Sequence, residues 1–192
     1  MLSLHRGRWA VLLAALFSFA GFSQDACLSC HGPDGNSVTP GIPSIAGQPR
    51  LFVETQLVLI REELRPAPQM LPLVKGMKDA EITRLAEHFS KLPAKGMASG
   101  QPDAALVKQG RARAATLHCG SCHTPDFSGQ NQVPRLAGQR EEYLVSEMIA
   151  YRDGKRKGGD TIMAASLYGV KDDEIKALAH FLAHRPPRRP VP

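Results

Sequence analysis

The chain has 192 residues, which is enough for one medium-sized domain or two small ones. Aromatic side chains make up only 6% of it, so small domains would need another core filler, such as disulfides, metals or a large prosthetic group. The formal net charge is +6, but no basic stripe with interleaved aromatic residues accompanies it, and nucleic-acid binding is therefore not supported.

The first residues have the three parts of a secretory signal peptide. Arg6 and Arg8 give a basic start, the apolar run WAVLLAALFSFAGF follows, and small residues precede Gln24. We predict that residues 1–23 are a cleavable signal peptide and that the mature protein is exported. An uncleaved membrane anchor is the less favoured alternative, because the apolar run is short for a membrane span. Removing Arg6 and Arg8 lowers the formal charge from +6 to +4.

Two stretches of the chain are copies of one unit of about ninety residues. IPSIAGQPRLFVETQLVLIREELR in the first copy aligns with VPRLAGQREEYLVSEMIAYRDGKR in the second, and DAEITRLAEHF aligns with DDEIKALAHFL. The segment LPAKGMASGQPD between the copies is rich in Pro, Gly and Ser and has the composition of a linker. We therefore predict a first domain over 24–95, a linker over 96–102 and a second domain over 103–192.

Each copy contains apolar residues at helical spacing. This pattern predicts helices over 50–62, 80–91, 140–153 and 173–184, with Asp79 and Asp172 as N-caps of the second helix in each copy. A further helix is predicted after Asp103, leading into the second copy. The first copy has only three residues between the predicted cut and Cys27, so its corresponding N-terminal helix is predicted to be missing or truncated. Nothing in the sequence predicts a strand, and the predicted fold class is all-α.

All four cysteines stand in two copies of one word, CLSCH from Cys27 to His31 and CGSCH from Cys119 to His123. A disulfide across two intervening residues would constrain little chain and leave both histidines unexplained. A zinc site would need ligands beyond two cysteines and one neighbouring histidine. Cys-x-x-Cys-His is instead the attachment pattern for c-type haem, because two thiols one helical turn apart reach both vinyl groups while the histidine faces the iron.

We therefore predict two covalently bound haem c groups. The thioether-forming residues are Cys27, Cys30, Cys119 and Cys122, and the first axial iron ligands are His31 and His123.

The repeat also selects the second axial ligand among the methionines. Counting back twelve residues from the matched Ile82 and Ile175 leads to Met70 and Met163, which are both expected in loops. The other methionines of the predicted mature chain fall in the linker, in a helix or at a core position such as Met77. Histidine–methionine ligation is typical of electron-transfer cytochromes.

Two prolines, Pro43 and Pro134, occupy matched positions after the two cysteine words. A haem-ligating histidine usually donates its outer N–H to a carbonyl, and we expect these prolines to supply it. His88, His118 and His180 have no counterparts in the other copy and are predicted to be ordinary surface or helix residues.

The stretches CLSCHGPDGNSVTPGIPSIAGQ and DAEITRLAEHF, with the methionine between them, resemble the dihaem cytochrome c4 family. The second copy resembles the second domain of that family, so the resemblance covers nearly all of the predicted mature chain. It implies two tandem class I cytochrome c-like domains, each wrapped around a covalently bound haem. It also implies a periplasmic electron carrier, not an enzyme, between a quinol–cytochrome c reductase type donor and a terminal oxidase type acceptor.

Two other functions remain open at this point. The same domains could form the electron-transfer subunit of a flavin- or quinone-dependent periplasmic dehydrogenase complex. With a displaceable methionine, one haem could instead act as a peroxidase. A redox partner is expected to dock on a local charged patch such as Lys155, Arg156 and Lys157, with peripheral membrane association compatible with either role.

Overall fold

The computed structural model describes residues 24–188, so the predicted signal peptide lies outside the described residues. Within this range the chain forms helices and no strand, apart from one isolated antiparallel bridge between Gln130 and Val133. No helix in this range is long and apolar enough to cross a bilayer. The helices are α1 Asp25–His31, α2 Arg50–Arg61, α3 Leu71–Val74, α4 Asp79–Lys91, α5 Ala104–Thr116, α6 Cys119–His123, α7 Glu141–Arg152, α8 Thr161–Leu167 and α9 Asp172–Ala183.

The all-α fold class is confirmed, and the helices predicted from apolar spacing correspond to α2, α4, α7 and α9. The predicted N-caps of α4 and α9 are wrong by one residue. Lys78 and Lys171 occupy the cap positions, and their backbone N–H groups donate to Glu81 and Glu174 at 2.7 and 2.9 Å. A glutamate at the third helical position is the capping-box arrangement, and it satisfies this N–H without an acidic cap residue.

Asp79 and Asp172 instead bind arginines at the C-terminal ends of α2 and α7. Arg61 of α2 contacts Asp79 at 2.7 Å, and Arg152 of α7 contacts Asp172 at 2.5 Å. Arg61 also donates to the backbone oxygen of Met77, just before α4, and Arg152 to that of Val170, just before α9. The repeat thus ties α2 to α4 and α7 to α9 in the same way.

Each half has its own hydrophobic core. In the first half α2 packs on α4 around Val53, Leu57, Ile60, Ile82, Leu85 and Phe89. In the second half α9 packs on both α5 and α7 around Leu144, Met148, Ile175, Leu178, Phe181 and Leu182. These cores are small, and partly buried cysteines and methionines lie at their borders.

Helix α5 approaches α9 so closely that only glycine fits at the crossing. A Cβ added to Gly110 would lie 2.0 Å from the backbone oxygen of Ala177 and 2.7 Å from the Cβ of Phe181. At the matched positions, α4 carries Arg84 and His88, of which Arg84 is exposed and His88 half-buried. Helix α4 therefore presents polar side chains where α9 receives α5.

The two halves meet through a reciprocal set of hydrogen bonds. The side-chain amide of Gln48 donates to the backbone oxygen of Arg135 at 3.1 Å and accepts from the Arg135 N–H at 2.9 Å. The amide of Gln139, at the matched position, does the same with Ser44 at 2.9 and 2.7 Å. All four residues are buried. Because matched residues make matched bonds, the junction has the self-complementary form of a two-fold interface.

A second set of polar contacts joins the halves at α2 and α7. Arg65 of the first half donates to the hydroxyl of Tyr143 at 3.2 Å and lies 3.6 Å from Glu147. Arg156, at the position matched to Arg65, donates to the side chain of Gln56 at 3.1 Å. The halves are therefore joined by two reciprocal sets of polar contacts as well as by the covalent connection.

Candidate haem sites

The first cysteine word is itself a helix. Helix α1 places Cys27 and Cys30 one turn apart, with Cys27 half-buried and Cys30 exposed. The chain leaves the helix through Gly32 at φ 86°, where an added Cβ would lie 2.3 Å from the backbone oxygen of Asn36. A side chain cannot fit there, so the tight turn after His31 depends on glycine.

The second cysteine word repeats this geometry with different residues at its ends. Helix α6 carries Cys119, half-buried, and Cys122, exposed. The residue matched to Gly32 is Thr124, which adopts φ 68° despite its branched side chain. The carboxylate of Asp126 accepts from the Thr124 hydroxyl at 2.7 Å and from the Ser128 hydroxyl at 2.8 Å. These bonds hold the strained turn and keep the pKa of Asp126 at about 2.

Both histidines of the words are buried and oriented by a carbonyl. Nδ1 of His31 lies 2.8 Å from the backbone oxygen of Pro43, and Nδ1 of His123 lies 2.8 Å from that of Pro134. The two histidines are 6% and 7% exposed. The carbonyl can only accept a hydrogen bond, so Nδ1 carries the proton in both rings.

This tautomer leaves Nε2 of each ring as an unprotonated donor atom. Burial lowers the pKa of His31 and of His123, and the carbonyl hydrogen bond only partly opposes this effect. Both imidazoles therefore stay neutral, the state in which histidine binds a metal. Within residues 24–188 neither Nε2 has a hydrogen-bond partner. Two thiols one turn apart and an oriented neutral imidazole are the donor set that a covalently attached haem requires.

The methionines selected by the repeat lie at the borders of the two cores. Met70 is half-buried at the N-cap of α3 and packs on the same core as Cys27. Met163 is half-buried and packs on the same core as Cys119. The expectation that both lie in loops is wrong for Met163, because Asp160 accepts from the Ile162 N–H at 2.7 Å and caps α8 just before it. Met77 is buried in the first core, at 3% exposure.

The alternatives to haem receive no support from the described residues. No disulfide joins the two cysteines of either word. The one group of three potential metal ligands within the described range contains no cysteine and consists of Glu141, His180 and His184. In that group Nε2 of His180 accepts from the Asp103 N–H at 2.9 Å, and Nδ1 lies 3.0 Å from Glu141. Both nitrogens of His180 are engaged, so this histidine, buried rather than at the surface, links α5, α7 and α9.

Of the basic residues expected to dock a partner, Lys155 is exposed but Arg156 is buried. The side chain of Arg156 is 8% exposed and pairs with Glu147 at 2.5 Å. Lys155 is 77% exposed and lies 3.8 Å from Asp153. The prediction that Arg156 forms part of a docking patch is therefore wrong, because its guanidinium binds Glu147 and, across the junction, Gln56.

The sequence analysis missed Gln48 and Gln139. The segments they bind begin one residue after Pro43 and Pro134, the residues that orient the two histidines. Both glutamines end the Ala-Gly-Gln motif that the two copies share, and this match could have marked them as structurally important. The repeat alone does not show that each glutamine binds the other half. The junction thus supports both histidine-holding segments from outside.

Comparison with known proteins agrees with this geometry. The cytochrome c family model matches residues 107–186. Cytochrome c4 of Azotobacter vinelandii is 30% identical over 173 residues, covering 81% of this chain and 82% of that protein. A thiosulfate dehydrogenase electron acceptor of Stutzerimonas stutzeri strain A1501 is 31% identical over 169 residues, covering 83% of this chain and 78% of that protein.

Among solved structures, reduced recombinant cytochrome c4 of Pseudomonas stutzeri superimposes with a TM-score of 0.76 and 28% identity. The match covers 85% of this chain and 94% of that chain. The likeness therefore extends over both halves and not only over the cysteine words. The predicted haem c groups are confirmed at the level of the family, whose chemistry is one-electron transfer and not catalysis. This chain belongs to the dihaem cytochrome c4 family of electron carriers.

Proposed function

We propose that this chain is a periplasmic electron carrier with one haem in each of two domains, 24–95 and 103–192, joined by a linker over 96–102. The first haem is attached to Cys27 and Cys30, with His31 and Met70 on the iron. The second is attached to Cys119 and Cys122, with His123 and Met163 on the iron. Residues 1–23 are removed on export.

The observation that carries this proposal is the histidine–proline hydrogen bond, present in both halves at 2.8 Å. A fixed Nδ1–H orients the ring, makes it a stronger ligand and leaves Nε2 for the iron. Bound haem supplies reversible one-electron chemistry. The protein supplies a rigid, largely buried setting in which the ligands change little between the two oxidation states.

The methionine assignments can be tested spectroscopically. In the haem-loaded protein, matured in a host competent for c-type haem attachment, Met70→Ala and Met163→Ala should each abolish half of the near-infrared charge-transfer band of methionine-ligated ferric haem. Met97→Ala, in the proposed linker, is the matched control and should leave the band intact. An unchanged band in either ligand variant would overturn that assignment.

Export and haem attachment are tested by mass. The mature protein should begin at Gln24 and carry the added mass of two haem groups. A mature chain with the mass of bare polypeptide, or one without Soret absorption, would overturn the proposal as a whole.

For the partners, the proposed direction of flow is from a quinol–cytochrome c reductase type donor toward a terminal oxidase. A second candidate is supported by the name of a relative, the thiosulfate dehydrogenase electron acceptor of Stutzerimonas stutzeri. In that role the chain would accept electrons from a periplasmic dehydrogenase. Stopped-flow reduction by a purified thiosulfate dehydrogenase, compared with reduction by a quinol–cytochrome c reductase, distinguishes the two donors. The faster donor at equal concentration identifies the role.

A further inference from the structure

A cleft of about 490 Å³ opens on the second half, outside the candidate haem sites. Its floor is apolar and consists of the buried residues Ala114, Phe127 and Phe181. Its rim carries two cations, Arg111 of α5 and Arg185 just after α9. None of the residues assigned to the second haem lines this arginine cleft, so the two sites are separate.

Aromatic rings hold both arginines of the cleft. Cζ of Arg185 lies 5.5 Å from the ring centre of Phe127 and 5.6 Å from that of Phe181. Cζ of Arg111 lies 5.8 Å from the ring centre of Phe181. A guanidinium that stacks on a ring keeps the N–H groups on its edges available to another partner. The rings therefore fix the two positive groups in place without neutralising them.

Within residues 24–188 neither guanidinium forms an ion pair with an acid, although the nearest arginines along the chain do. Arg113, two residues after Arg111, lies 3.1 Å from Glu174, and Arg188 lies 3.8 Å from Asp126. Arginine binds a carboxylate through two parallel hydrogen bonds, and this is its strongest common pairing. The arginine cleft is therefore the complement of an anionic group that has an apolar neighbour.

The residues of the arginine cleft belong to the second half alone. Gly35 is matched to Phe127, because the backbone oxygen of each accepts two N–H groups from the segment that ends in Ala-Gly-Gln. The positions matched to Phe181 and Arg185 are His88 and Leu92. The position matched to Arg111 falls in the predicted signal peptide. A partner that recognises this cleft therefore distinguishes the two halves.

The cleft also borders the second cysteine word. Gly120 and Ser121, the two residues between Cys119 and Cys122, line it together with His118. Ser121 and His118 are exposed. A molecule seated in the cleft therefore touches the segment to which the second haem is attached.

We propose that the arginine cleft docks an acidic redox partner, a protein that presents a carboxylate beside an apolar side chain. The carboxylate pairs with Arg111 and Arg185, and the apolar side chain packs on the floor. Arginine and buried aromatic residues carry much of the binding energy at protein interfaces. With an electron donor, the partner's reduced centre loses one electron and the iron of the second haem gains it; with an acceptor, the same electron moves the other way. The proposal rests on the proposed function and names where that function meets its partner.

Stopped-flow kinetics of the haem-loaded protein at low and high salt test the charges. The probes are a purified thiosulfate dehydrogenase and a purified quinol–cytochrome c reductase as donors, and a purified terminal oxidase as acceptor. Arg111→Gln combined with Arg185→Gln removes both cations of the cleft. Lys155→Gln combined with Lys157→Gln is the control, because it removes two exposed cations from a different surface.

With at least one probe, the second-order rate constant of the arginine variant should fall by about tenfold or more at low salt, since complementary charge raises association rates by about 10- to 1,000-fold. Its dependence on salt should also become shallower. The lysine variant should change the rate constant by less than about twofold, since its charges lie outside the contact.

A second pair of variants blocks the cleft without changing any charge. Ala115 is exposed on α5 and lines the cleft, whereas Ala112 is exposed on the same helix and does not. Ala115→Trp should slow the reaction that the arginine variant slows, and Ala112→Trp should not. This pair decides the question if the arginine variant fails to fold.

The proposal is overturned if the arginine and lysine variants slow every reaction equally, because net charge and not the cleft then sets the rate. It is also overturned if Ala115→Trp reacts with all three probes as fast as Ala112→Trp. Binding to phosphatidylglycerol vesicles that the arginine variant loses, with all rates unchanged, would assign the cleft to a lipid surface and overturn it as well.

Failure of the proposed function is seen separately. Each sample is first checked for two haems per chain. A haem-loaded wild type that exchanges electrons with none of the three probes refutes the proposed function itself, whereas a reactive wild type with an indifferent cleft refutes only the docking site.

Discussion

Replacing Gln139 by alanine should weaken the contact between the two halves. Gln139 makes two hydrogen bonds to the backbone of Ser44, at 2.7 and 2.9 Å, and Ser44 is fully buried. Truncation leaves both the N–H and the carbonyl of Ser44 without a partner. An unmet buried group costs about 1–3 kcal/mol, so the expected loss in the free energy of unfolding is about 3 kcal/mol.

The reciprocal junction provides a second variant with the same expected effect. Gln48→Ala removes two bonds to the backbone of Arg135, at 3.1 and 2.9 Å, and should cost a similar amount. Gln130→Ala is the control, since Gln130 is exposed and makes one 3.3 Å bond to Cys122 in addition to its backbone contacts. Its loss should cost less than about 0.5 kcal/mol.

Guanidinium unfolding of the haem-loaded protein, followed by far-ultraviolet circular dichroism and by Soret absorption, measures these changes. Covalent attachment keeps the haem on the unfolded chain, so the transition remains reversible. The wild type should unfold in one transition. The two junction variants should begin to unfold at lower denaturant concentration, and their two halves should unfold in two separate transitions. Unfolding of Gln139→Ala and Gln48→Ala that coincides with Gln130→Ala would show that these bonds do not hold the halves together.

Two further predictions concern the second half. Gly110→Ala should destabilise the haem-loaded protein by about 2–3 kcal/mol in thermal unfolding, because its Cβ would meet the backbone of Ala177 at 2.0 Å. The control is Gly76→Ala, where a Cβ meets nothing within 4 Å. Equal melting temperatures of the two variants would contradict the close crossing of α5 and α9. Asp126→Asn should cost about 1 kcal/mol at pH 7, a value reduced for the partial exposure of this side chain. The pKa of Asp126 is depressed to about 2, so its contribution is present above the unfolded-state pKa and is lost as pH falls through about 2. The difference between wild type and Asp126→Asn should therefore shrink in strong acid, while Asp173→Asn, which changes an exposed acid, should match the wild type throughout.

The sequence predicted the helices and the candidate ligands because these depend on local pattern. Apolar spacing predicted α2, α4, α7 and α9 within two residues at each end. The matched Pro43 and Pro134 indicated where the histidines would find a carbonyl, since the two copies share one internal geometry.

The features that sequence analysis missed depend on contacts between the copies. Gln48 and Gln139 look alike in the repeat, and nothing in their local sequence indicates that each binds the opposite half. Arg156 stands between Lys155 and Lys157 in the sequence, and only the folded chain brings Glu147 and Gln56 to it. Met163 was expected in a loop because the short helix α8 has too few residues for a clear apolar period.

Across the junction, the side chains of Gln48 and Gln139 bind backbone groups and not side chains. This has an evolutionary consequence. Any residue with a backbone N–H and carbonyl satisfies Gln139 at position 44 or Gln48 at position 135. After a duplication, mutation could therefore install Ser in one copy and Arg in the other without separating the copies. A protein of this construction can change the side chains at the contact between its halves one copy at a time while it remains a single folded body.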